Sequence, residues 1–225
     1  MESIPAYVTA TFVIALIITV WLFSKATSYS KPVVIILITL IIIQSTLGLT
    51  GFYNNPQSMH VRLPLLVMPL VSVFTILFFT AKGRGFIDSL ELKTLTILHT
   101  IRIPVELVLL WLYLGHTIPQ ALTFEGNNFD IISGLTAPLI YYFGVVKKQL
   151  GRGVIISWNV ICIVLLLYVV SNAVLSLPTR YLDFGFEQPN IALGYFPFVL
   201  LPAILVPLVL FSNLAAIRQL LIKKG

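Results

Sequence analysis

Residues 92–114 read LKTLTILHTIRIPVELVLLWLYL, an apolar run that nevertheless carries His99, Arg102, Pro104 and Glu106 near its middle. A hydrocarbon core about 30 Å thick takes roughly 20 apolar residues as a helix, and this run is long enough. It is also too long and too uniformly apolar for a barrel strand of about ten alternating residues. Six more runs of similar character surround it. Together they predict an all-α integral membrane protein, a single bundle of seven transmembrane helices over approximately residues 4–24, 33–53, 63–81, 92–114, 129–146, 153–176 and 193–217.

Composition agrees with that reading. Of 225 residues, 58% are hydrophobic and 10% charged, with a mean hydropathy of +1.01, against about 25% charged residues in soluble domains. A water-soluble globule is excluded. Met1 to Ala6 carries Glu2 and no basic residue, so the first run is read as structure and not as a secretory signal. The breaks at Ser28 to Pro32, Asn54 to Pro56, Gly83 to Gly85, Gly126 to Asn128 and Gly151 to Gly153 are turn-forming clusters. Gly-Arg-Gly occurs at two of them, which we read as two short turns and not as an internal repeat.

The net charge of +6 raises the question of nucleic acid, and the placement of the positives answers it. Lys25, Lys31, Lys82, Arg84, Lys93, Lys147, Lys148, Arg152, Arg218, Lys223 and Lys224, eleven of the fourteen basic residues, flank alternate connections on one side. Such asymmetry reports membrane orientation. It predicts an N-terminus outside, a C-terminus in the cytoplasm, a bacterial-type cytoplasmic membrane, lipid bilayer contact and no nucleic-acid partner. Arg62 and Arg180 flank the other side, and Arg102 belongs to neither group.

At about 100° per residue, His99, Arg102, Glu106 and Tyr113 fall within roughly 60° of one another on the helix wheel. A charge at mid-span facing lipid costs at least about 2.5–3.5 kcal/mol, so the stripe should face the bundle interior. Pro104 cannot donate to the carbonyl of Thr100, which predicts a kink beside the charges. Intramembrane charges mark ligand or ion paths by default. The plainer alternative is that Arg102 and Glu106, four residues apart, neutralise each other.

Gln44, Thr46, Ser133, Thr136, Asn159, Asn172 and Asn213 are polar residues of other spans that could meet the stripe or serve helix packing alone. A second group, His60, His116, Glu125, Asp130, Asp183 and Glu187, comes from the outer connections, where histidine and carboxylate could serve general acid and base work. Solvated loop residues are the bland reading, and Asp130 has the further role of a capping acid for the fifth span.

No metal site is expected, because there is no His-Glu-x-x-His and Cys162 stands alone. No cofactor is expected either. Residues 193–217 hold no lysine for a retinal Schiff base, His99 is the only mid-span histidine where bis-histidine haem needs two, and there is no Gly-x-Ser-x-Gly elbow or phosphate loop. The best-fitting function is binding or transport of a small solute or ion at the stripe. The alternatives are a membrane-embedded enzyme acting on a lipid or isoprenoid, and a structural or assembly subunit.

Overall fold

The computed structural model describes residues 4–55, 59–178 and 186–222. Most of those residues are helical, with no strand among them. Helix α1 is Ala6–Ala26, α2 Lys31–Leu49, α3 Met59–Phe79 and α4 the short Ala81–Ser89. Helix α5 covers Leu92–Leu114, α6 Ile131–Val146, α7 Arg152–Leu175 and α8 Leu201–Ile222. Six helices, all but α4 and α6, are long and apolar enough to cross a membrane, by length and composition. Exposed Ile14, Ile38, Leu135, Ile161 and Val164 give the bundle a perimeter suited to acyl chains.

Helices α8 and α5 form the centre. They are 67% and 56% buried over their most apolar windows, whereas no other spanning helix exceeds 33%. Helix α1 packs along both halves of α5, and α7 packs on α8. Phe74 stacks on Phe211 at 4.1 Å between ring centroids, with Phe23 edge-on to Phe211 at 5.8 Å. Gln44 joins α2 to α3 by donating to the Leu65 carbonyl at 3.0 Å, while it accepts from the Tyr53 hydroxyl at 2.7 Å.

Three departures from the sequence expectations have physical causes. Gly83 to Gly85, expected as a turn, lies inside α4. Thr80 caps that helix by accepting from the Gly83 amide at 3.1 Å. Gln219 donates to the carbonyls of Ile87 and Leu90 at 2.7 and 2.9 Å, and Arg218 grips Asp88 with two bonds of 2.9 Å, so α4 is clamped to the end of α8. The last helix was expected from Leu193 but begins near Leu201. A 3₁₀ turn at Ala192–Gly194 and a π-helical turn at Leu201–Leu205 precede its regular part. Pro207 has no amide to offer the carbonyl of Ala203, and a wide turn just before it accommodates the loss.

The third departure is α6, expected as a span over 129–146. It has nine α-helical and seven π-helical residues, about 24 Å at 1.5 Å per residue, short of a 30 Å core. In the connection before it, Ile118, Leu122, Thr123, Asn128 and Asp130 are buried and pack between the helices, while Gln120, Glu125, Asn127 and Phe129 stay exposed. Gly134 permits the close approach of α6 to α5, since a Cβ there would sit 2.9 Å from Ile103 Cγ1 and 3.2 Å from Arg102 Cβ. Gly134→Ala should lower stability by about 1–3 kcal/mol, the usual range for overpacking, measured by unfolding in mixed micelles.

Candidate functional site

Helix α5 is irregular just before Pro104. A 3₁₀ turn at His99–Ile101 separates Leu92–Leu98 from Arg102–Leu114, so Pro104 falls in the first turn of a new helical segment, where its missing amide does least harm. The stripe residues His99, Arg102 and Glu106 are 1%, 3% and 2% exposed. His99 meets the ring of Trp158 edge-on at 5.4 Å, and Arg102 Nη1 donates to the Cys162 carbonyl at 3.3 Å, so both look toward α7. Tyr113 is half-buried near the far end of α5, and its carbonyl accepts from Gln188 at 3.3 Å.

The charges do not pair with each other along the helix. Arg102 forms its ion pair with Asp130, donating through Nη1 to Oδ1. Asn128 Nδ2 donates to the Glu106 carboxyl in a shared bond, at 2.7 and 2.8 Å from its two oxygens. Asn128 Nδ2 also donates to the Leu122 carbonyl at 3.0 Å, and its Oδ1 accepts from the Asp130 amide at 2.9 Å. That last bond fixes which way the amide points. Ser133 Oγ donates to Asp130 Oδ1 at 3.4 Å. The folded-back connection therefore supplies the partners for Arg102 and Glu106.

Asp130 lies beside the mid-point of α5, not among the outer residues with which the sequence grouped it. It makes no side-chain capping bond to α6, because its carboxyl is turned to Arg102. Glu125 and His116 are exposed, and His116 Nδ1 meets Gln188 Oε1 at 3.2 Å. Glu187 is exposed and accepts from the Gln120 amide; with the 2.9 Å bond from the Ile191 amide to the Thr117 carbonyl, it ties two connections together. Asp183 and the side chain of His60 lie outside the described residues. Among the described residues, no three His, Cys, Asp or Glu side chains gather where a metal ion could be held.

Of the polar residues on other spans, Thr46, Thr136, Asn159 and Asn213 bond to carbonyls four residues back in their own helices, a packing role. Neither ring nitrogen of His99, nor Nε and Nη2 of Arg102, has a hydrogen-bond partner among the described residues.

A cavity of about 310 Å³ adjoins this network. Its walls are aliphatic side chains from α3, α5, α7 and α8, among them Val67, Leu109, Val170 and Leu201. Glu106, Asp130 and Asn190 are the polar exceptions. Pockets for small molecules have this make-up, apolar walls with a few fixed polar groups. Asn128, Asn190 and the cavity itself were not anticipated from sequence. An asparagine beside a short apolar run reads as a turn residue, and a void depends on how distant segments pack.

The profile of the family described as Domain of unknown function (DUF8737) matches residues 59–221. The chain belongs to this family. The matched stretch holds α3 to α8, hence the whole network and the cavity, and leaves α1 and α2 outside. No curated protein matches the chain, and no solved structure does.

Proposed function

We propose that the chain is a multi-pass protein of a bacterial-type cytoplasmic membrane, with seven crossings, N-terminus outside and C-terminus in the cytoplasm. Its work on this reading is to bind a small solute, as the first step of holding or moving it, in the cavity beside α5. The observation that carries the proposal is the presence of Glu106 and Asp130 in the wall of an otherwise aliphatic cavity. Buried carboxyls beside a void are expensive to keep, and a ligand that donates hydrogen bonds gives them a use.

The roles divide by geometry. Glu106 is the ligand-facing acceptor, held in one orientation by Asn128. Arg102 does not border the cavity; it is a positioning residue that fixes Asp130. His99 sits further along α5 against Trp158. Purified protein in nanodiscs, screened for thermal shifts against a metabolite panel, tests this directly. We expect at least one compound whose stabilisation disappears in Val170→Trp, which fills the cavity, and whose affinity falls about tenfold to a hundredfold in Glu106→Gln, as for loss of a charged hydrogen bond. A panel whose responses are identical in wild type and both folded variants refutes the assignment.

A further inference from the structure

The cavity's size, wall chemistry and mouth together narrow what it takes. An engineered aliphatic cavity of about 150 Å³ stays dry and holds benzene, so 310 Å³ holds roughly twice that, an occupant of about ten to twelve carbon atoms. The walls exclude a sugar or an amino acid, whose many polar groups would find almost nothing to bond. They suit a hydrocarbon chain.

One end of that chain must be polar, and the network specifies how. Asn128 uses one lone-pair direction on each oxygen of Glu106, and a carboxylate offers about four. Both named bonds from Arg102 and Ser133 to Asp130 fall on Oδ1. The acceptors at this wall are the carboxyls of Glu106 and Asp130, and Asn190 commits one of its two amide hydrogens to the Ala173 carbonyl at 3.0 Å. Arg102 is already paired with Asp130. A phosphate or carboxylate head would face two carboxyls, whereas an ammonium would donate to Glu106.

The mouth faces sideways. Met68 of α3 and Val174 of α7 line the cavity and are also 54% and 39% exposed on the bundle's flank. Their exposed neighbours Val61, Leu65, Val164 and Leu167 are aliphatic, so the gap between α3 and α7 opens onto acyl chains and not onto water. We infer that the cavity admits a single-chain cationic amphiphile, an alkyl or prenyl chain of about ten carbons ending in an ammonium group, directly from the bilayer between α3 and α7. This rests on the cavity being the ligand site.

The test uses the full chain in nanodiscs of zwitterionic phospholipid, with decylamine carrying a terminal diazirine, and the matching decanoate as the anionic control. After irradiation, labelled residues are mapped by mass spectrometry. The expected result is amine labelling of buried Leu166 and Leu109, at least tenfold weaker with decanoate and at least tenfold weaker in Val170→Trp, with Val170→Phe taking its place if the tryptophan variant does not fold. Labelling confined to Val164 and Leu167, or equal labelling by both probes, overturns the inference. If a water-soluble metabolite stabilises wild type but not the filled variant while the amine leaves Leu166 unlabelled, the amphiphile falls and the solute-binding reading stands. If neither probe nor metabolite responds to filling the cavity, both fall.

Discussion

Asp130→Ala is expected to destabilise the folded protein by about 3–5 kcal/mol, the cost of leaving one member of a buried ion pair without the other. Arg102 is 3% exposed, and besides Asp130 it donates to the Cys162 carbonyl at 3.3 Å. With the carboxylate gone, a guanidinium remains at the centre of an apolar helix. The double variant Arg102→Met, Asp130→Leu should recover most of the loss, because replacing a buried pair by apolar residues of similar volume is often neutral or stabilising. The measurement is equilibrium unfolding in mixed micelles, read as a double-mutant cycle. A single variant as stable as wild type would mean that Arg102 has found water or lipid headgroups, and the buried network would be refuted.

Asn128→Leu should cost about 3 kcal/mol, since buried polar groups left unsatisfied cost about 1–3 kcal/mol each and charged ones more. One side chain bonds both oxygens of Glu106, the Leu122 carbonyl and the Asp130 amide. The substitution strands all of them together. In a Glu106→Leu background the same change should cost clearly less, because the most demanding partner is gone, and the difference measures the coupling of Asn128 to Glu106. Equal losses in both backgrounds would show that Asn128 serves only the local fold of the connection.

The long apolar runs were legible because a helix crossing lipid leaves a signal that needs no partner to interpret. Residues 6–26, 31–49 and 152–175 fall close to where the runs place them. The stripe of His99, Arg102 and Glu106 was legible for the same reason, since spacing alone puts the three on one side of a helix. Spacing does not say what lies opposite. Arg102 and Glu106 suggested each other as partners at four residues' separation, yet their partners come from the connection after α5. Asp130 precedes an apolar run, which in sequence looks like a cap at a membrane surface; only the depth at which α6 begins turns it into a buried counter-ion. The one available hint was length, for 129–146 is the shortest of the seven runs. Val67, Leu109, Val170 and Leu201 each read as ordinary core residues, and nothing in their order reveals that a void separates them.

The guanidinium and its counter-ion are 28 residues apart in the chain, and synthesis at roughly 5–20 residues per second makes one about 1–6 s before the other. Arg102 therefore waits for its permanent counter-ion until the connection after α5 has been made, with Glu106, four residues along the same helix, as the carboxyl at hand in the interval.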